Sequence, residues 1–246
     1  MPNRQHDIQL SLAESYEYIQ AIIESMHNAV SDRLIQEVCT AKITSALMQF
    51  RACLDYSIKD IYDIVLRPHI GNPKGNIYFP YSLSREGFEE SIKNNGLSKL
   101  KDYSPTVYNL IESLQSFSPR NDWLYILCKG NNDTKHNRHK PQTRIDSELM
   151  TINGQQAGIK IENGSRGEIV FINSQINENE IGFLDIDINN HVIITDEKTR
   201  KLNINLINWA DFTFTDTKIN IIDFLQTCYC QLFNYQKELY QIISSD

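Results

Sequence analysis

Two stretches of the chain carry side chains able to do chemistry. Lys129 to Lys140 reads Lys-Gly-Asn-Asn-Asp-Thr-Lys-His-Asn-Arg-His-Lys, and Arg51 and Asp55 stand one helical turn apart far upstream. An Arg and an Asp at that spacing can pair on a helix and also reach amide and Lys side chains across a helix interface. Arg51, Asp55, Asn132 and Lys135 therefore form a candidate binding cluster with two readings. One is a satisfied polar network that sets helix register. The other is a pocket for a phosphate or a nucleic-acid backbone, with Arg51, Lys135, His136 and Arg138 as ligands.

His136, Arg138 and His139 are the candidate catalytic residues. A His can act as general acid or base near neutral pH, and Lys135 or Arg138 can stabilise charge developing on a phosphoryl group. Asp133, His136 and His139 recur at steps of three, a spacing that can stack metal ligands on one helix face. Pro141 and the surrounding Asn and Lys favour a solvated basic turn instead, and no metal or other cofactor is expected. Asp185 and Asp187 share a strand face, and Asp196-x-Lys198 has a faint likeness to the acid and lysine of metal-dependent nucleases. Alternation alone predicts that spacing in a half-exposed strand.

Charge narrows the partners. The net charge of -7 argues against a surface that coats nucleic acid or an anionic membrane throughout. Lys129, Lys135, Arg138, Lys140 and Arg144 nonetheless stand against Asp133 alone, a local balance of +4. With 246 residues, 41% of them hydrophobic, the chain can bury a core without disulfides or metals. The five cysteines are odd in number, and most sit inside apolar helical patterns, which suits a reducing compartment. The opening residues lack a signal-peptide core, and no run reaches the ~20 apolar residues needed to span a bilayer. A soluble, cytoplasmic protein is expected, with no membrane partner.

The elements that must position these residues are helical in the first half. Ser11-Leu12-Ala13-Glu14 has capping-box spacing and predicts a helix start. Leu12, Tyr16, Ile19, Ile23, Met26 and Val30 then form its stripe, ending near Ser31. A second, longer helix is expected from about Asp32 to Leu66, on the rhythm Ile43, Leu47, Phe50, Leu54, Ile58, Ile61 and Val65, stopped by Arg67-Pro68. Gly71, Pro73, Gly75 and Pro80 mark a loop from His69 to Tyr81. Ser84 caps a short helix that Gly96 ends. Ser104-Pro105 opens another, with Val107, Leu110, Ile111, Leu114 and Phe117 on its buried face and Ser118-Pro119 closing it. Asn121 or Asp122 caps the next, whose stripe of Leu124, Leu127 and Cys128 continues by helical steps into Asn131, Asn132 and Lys135.

After Pro141 the period changes to alternation, in Ile159 and Ile161, Leu184 to Ile188, Val192 and Ile194, Leu202 to Leu206, and Phe212 and Phe214. Turn signals separate the runs at Asn153-Gly154, Asn163-Gly164, Asn189-Asn190 and Asp196-Glu197-Lys198. A meander of about six antiparallel strands is predicted. From Lys218 the helical period returns in Ile222, Leu225, Tyr229, Leu232, Phe233, Tyr240 and Ile243. The fold class is thus α+β: a helical bundle over 1–140, an antiparallel β-meander inserted over 141–217, and a C-terminal helix over 218–246 that packs back on the bundle.

Phe50-Arg51-Ala52-Cys53-Leu54-Asp55-Tyr56, followed by Asn132-Asp133-Thr134-Lys135-His136-Asn137-Arg138, resembles a family of uncharacterised bacterial and phage helical proteins. In that family one helix reads leucine-arginine-serine-alanine-leucine-aspartate-histidine and a later one asparagine, two residues, lysine-histidine-arginine. Tyr56 stands here where that pattern often has His, and Asn137 separates His136 from Arg138. The helical half is also similar to the HEPN bundles of bacterial toxin and defence systems, many of which cut RNA with an Arg followed by four to six residues and a His. No Arg of this chain has a His at that spacing. The resemblance implies a cytoplasmic HEPN-like accessory or binding module, in antiviral defence or a mobile element, that takes RNA or a nucleotide phosphate. A ribonuclease toxin using the same residues and a purely structural partner-binding protein are the alternatives, so enzymatic and binding roles both stay open. The spread of apolar positions on the last helix adds the expectation of a homodimer or protein partner bound through the bundle.

Overall fold

The computed structural model describes residues 4–118, 122–136, 139–152, 155–162, 166–176, 179–187, 192–195 and 204–244, with side chains described outside 132–136 and 148–208. The chain is α+β, helices first, strands inserted, then a final helix. It divides into a helical unit of residues 1–23, 39–141 and 219–246 and a second unit of residues 24–38 and 142–218.

Helix α1 (Gln5–Ser31) starts earlier than Ser11 predicts. Ser11 lies a full turn inside, its hydroxyl donating to the Asp7 carbonyl at 2.9 Å, so no capping box forms there. The buried stripe is Ile8, Leu12, Ser15, Ile19, Ile22, Met26 and Ala29. Leu12, Ile19 and Met26 match expectation, but Tyr16 is 49% exposed. Ser15 takes the inward position because its hydroxyl is satisfied, donating to Ser11 O at 2.8 Å and Gln49 Oε1 at 2.7 Å.

Helix α2 (Thr40–Ile61) begins eight residues later than expected, after Cys39 in a left-handed conformation with φ 43°. Residues 32–38 are held otherwise: Leu34 N donates to Asp32 Oδ1, and Arg144 Nη1 donates to the carbonyls of Asp32 and Ile35, both at 2.8 Å. Ile43, Leu47, Phe50, Leu54, Ile58 and Ile61 are buried as their rhythm predicts. A π turn, Tyr62–Leu66, then widens the helix by one residue. Its phase shift buries Leu66 instead of Val65 and turns Tyr62 and Asp63 inward. Pro68 does not end the helix; it sits in the first turn of α3 (Arg67–Ile70), where a missing N–H costs nothing.

Helix α4 (Arg85–Asn94) is capped by Ser84, whose hydroxyl accepts from Gly87 N at 3.1 Å. Gly96 follows with φ +71°, the left-handed position at which glycine carries no Cβ penalty. After α5 (Leu100–Tyr103), α6 (Pro105–Ser113) starts on Pro105, although the Ser104 hydroxyl makes no capping bond. Pro119 and Asn121 lie outside the described residues. Helix α7 (Asp122–His136) and α8 (Ile221–Ile243) complete the unit, α8 capped by Asn220, which accepts from Asp223 N at 3.1 Å. Both α7 and α8 pack on α2. The last helix therefore does rejoin the bundle, with Leu225, Leu232, Tyr240 and Ile243 buried.

In the second unit, β1 (Gln142–Ile152) lies between β2 (Gln155–Glu162) and β6 (Ile204–Phe214). Strands β3 (Arg166–Ile176), β4 (Asn179–Asp187) and β5 (Val192–Thr195) form a separate meander. All pairs are antiparallel. Among the described residues there are six strands, then, but in two sheets, because β1 pairs along its full length with β6, from Gln142 opposite Phe214 to Ile152 opposite Ile204. That pairing brings the two ends of the segment side by side. The four turn signals lie outside the described residues. Within this unit Gln142 clamps Val38, accepting from its N at 3.1 Å and donating to its carbonyl at 3.0 Å.

Candidate functional site

Helix α2 carries Arg51 and Asp55 on the side that meets the loop before α4 and helix α7. Arg51 is 7% exposed. Its Nε and Nη2 grip Asp55 at 3.1 and 3.0 Å, a bidentate pair, and Nη1 donates to Cys128 Sγ at 2.6 Å. The guanidinium also lies 5.4 Å from the centroid of the Tyr81 ring. Asp55 Oδ1 accepts a further bond, from Phe79 N at 3.0 Å. The loop that delivers Phe79 and Tyr81 is fastened by Gln115, whose carboxamide donates to Pro80 O and accepts from Ser82 N.

Arg51 and Cys128 are buried, while Asp55 and Tyr81 are part-exposed. Burial pushes the Cys128 thiol up to about 11, although the adjacent guanidinium pulls the other way. The thiol is therefore neutral at pH 7, a weak acceptor and not a nucleophile. Asn131 is buried as its helical phase predicts, but its Nδ2 donates to the Leu47 carbonyl at 2.6 Å. Asn132, Lys135 and His136 are in the last turns of α7, with side chains outside the described residues, as is Arg138 entirely.

His139 is exposed, and its Nδ1 lies 2.7 Å from Thr44 Oγ1. Lys140 folds back along α7: a Cβ built on Gly130 would stand 2.9 Å from Lys140 Cε and 3.0 Å from its Nζ. Next to Gly130, Lys129 has its Nζ 5.8 Å from the Tyr125 centroid, and the Tyr125 ring is 6.0 Å from that of Tyr81. Lys140 thus lies beside Gly130, the residue after Lys129, and Lys129 is one turn from the half-exposed Tyr125, which neighbours Tyr81, while His139 is placed beside Thr44. Tyr81, Tyr125 and Thr44 were not among the predicted site residues; their sole sequence signal is an aromatic before a cap and an aromatic four residues before a Lys.

A second charged cluster escapes sequence reading altogether. Asp60 is fully buried and accepts from Arg4 N at 2.7 Å, Arg4 Nη1 at 2.6 Å and Tyr240 Oη at 2.6 Å. Asp63 accepts from Arg4 Nη1 at 3.1 Å and pairs with Arg67 Nη2 at 2.6 Å. Two acids against two guanidiniums leave no net charge, and burial together with Asp60 raises the Tyr240 hydroxyl well above its ordinary range. These groups knit the start of α1, α2 and α8. Asp60 and Asp63, three residues apart, share one face of the helix.

Among the described residues no group of three His, Cys, Asp or Glu side chains is placed to hold a metal, and no helix is long and apolar enough to cross a membrane. Compared with models of known protein families, with curated proteins and with solved structures, the chain matches none.

Proposed function

We propose that the chain is a binding or accessory module for RNA or a nucleotide phosphate, HEPN-like in its helical core, cytoplasmic, and at work in defence or a mobile element. The observation that carries the ligand class is the return of Lys140 alongside Gly130, which sets its ammonium next to the turn of Lys129. Lys129 beside the Tyr125 ring, with the Lys140 side chain against neighbouring Gly130, suits a sugar-phosphate backbone flanked by a stacking base. The buried thiols of Cys53, Cys128 and Cys228 suit a reducing compartment. Binding is favoured over cleavage because Arg51, the cation of the resembling motif, is held by Asp55 and Cys128 and is not available to a phosphate.

The test is fluorescence anisotropy of a short labelled single-stranded RNA over a salt series, with a gel to detect cleavage. Lys129→Ala and Lys140→Ala are each expected to lower the salt slope by about 0.7, the release expected for one phosphate contact on a single strand. Absence of binding even at about 50 mM salt, or affinity indifferent to salt, overturns the reading. Cleavage that His139→Ala abolishes would make the protein a ribonuclease.

A further inference from the structure

The loop after α3 and the C-terminal end of α4 line a cleft of about 460 Å³. That is within the roughly 300–1,000 Å³ of small-molecule sites. Its walls are braced within the chain. Tyr62 Oη donates to the Gly71 carbonyl at 3.2 Å at the start of the loop, and Tyr78 N donates to Asn95 Oδ1 at 2.9 Å at its end. Asn95 Nδ2 in turn donates to Ser91 O at 2.9 Å, so the bracing carboxamide is itself held on α4. A site set in advance spares a ligand the ordering cost.

Four of the polar side chains that line the cleft are uncommitted. Asn72 and Lys74 come from the loop, Lys93 and Asn94 from α4, and all four are exposed. Among the described residues none of these side chains has a hydrogen bond or ion pair within the chain. No carboxylate joins them in the lining. Two ammonium groups without a counter-charge draw an anion. The carbonyls that end α4 would oppose one, but those of Ser91, Ile92 and Lys93 already accept from Asn95, Leu97 and Gly96 N.

The anion is small, not a strand. Glu86, Glu89 and Glu90 are exposed on α4 and interrupt the positive surface within two turns of Lys93, whereas a nucleic-acid backbone needs a track of cations. The buried part of the lining is Tyr62 and Ile77, 3% and 6% exposed. A free carboxamide offers donor and acceptor together, the complement of a hydroxyl group. We propose that this cleft binds a sugar phosphate: Lys74 and Lys93 meet the phosphate, and Asn72 and Asn94 meet the sugar hydroxyls. The site shares no residue with the Lys129–Lys140 patch and does not depend on it.

Isothermal titration of the full chain with ribose 5-phosphate tests this, with ribose and inorganic phosphate as separate arms. One saturable site is expected for ribose 5-phosphate and no binding of ribose. Lys74→Ala and Lys93→Ala should each weaken the site about tenfold, the low end for a bond to a charged group. Asn72→Ala and Asn94→Ala should each weaken ribose 5-phosphate about threefold and leave inorganic phosphate unchanged. All four variants are expected to melt with the parent, because the side chains removed are exposed and hold nothing in place. No binding at millimolar ribose 5-phosphate overturns the proposal, as does affinity unchanged in both Lys variants, or lost in Lys129→Ala or Lys140→Ala. Inorganic phosphate bound as tightly, with both Asn variants silent, would make the cleft an anion site only and overturn the sugar assignment. RNA affinity that falls in Lys74→Ala or Lys93→Ala would give the cleft to a strand and equally overturn it.

Discussion

The guanidinium of Arg51 meets a carboxylate, a thiol and an aromatic face, and its removal leaves Asp55, whose side chain is 19% exposed, without its cation and Cys128 without its donor. Arg51→Ala is expected to cost about 3–5 kcal/mol, the range for breaking a buried pair, read as a lowered urea midpoint at unchanged slope. Arg51→Lys should recover only part of this, because an ammonium cannot grip Asp55 at two points and reach Cys128 as well. A loss below about 1 kcal/mol would show the cluster to be solvated. Gly130 carries the opposite prediction. Alanine there gains about 1 kcal/mol of helix propensity, while its Cβ displaces the flexible end of Lys140. Gly130→Ala should thus melt no lower than the parent yet bind RNA more weakly. The pairing of Arg51 with Asp55 was legible from their spacing; the third partner, Cys128, was not, since nothing local links residues 77 apart.

Helix ends show where local signals hold. Ser84 and Asn220 cap because each meets the backbone N–H three residues on. Ser11 has the same residue pattern but sits in mid-helix. Ser84→Ala is expected to cost about 1 kcal/mol and Ser11→Ala a few tenths at most, compared by denaturant melts; equal losses would mean that α1 starts at Ser11. The stripes of α2 were legible up to Ile61, where the π turn shifted the phase. A single inserted residue has no propensity signature, and beside its local pair with Arg67, Asp63 meets Arg4, a contact that forms only in the folded chain. In α1 the apolar-only reading chose Tyr16 over Ser15, since a polar residue whose bonds are made internally is invisible to hydrophobic period.

At the scale of the whole molecule, the buried ionisable groups act together. Burial pushes the Cys53 thiol from an ordinary value of 9.0 to about 12 and the Cys128 thiol to about 11, and raises Cys228, Tyr108, Tyr235 and Tyr240 as well. Below about pH 9 these groups are neutral in both folded and unfolded chains. Above it the unfolded chain ionises first, so stability is expected to fall steadily from about pH 9 to pH 12; a denaturant midpoint constant across the part of that range accessible to melts would contradict the burial. In the native protein a thiol reagent should modify exposed Cys230 quickly and Cys53, Cys128 and Cys228 only on unfolding. The sequence alone determined the α+β class, the change of period after Pro141 and the return of the helix near Lys218, because periodicities of 3.6 and 2 are properties of contiguous residues. Tertiary structure alone decided that β1 pairs with β6, that Arg51 turns inward to Cys128 while Lys140 lies outward against Gly130, and that Lys74 and Lys93 line one cleft. Each of these joins residues distant in the chain, and which partner a side chain meets is set by how elements pack, not by the residues adjoining it.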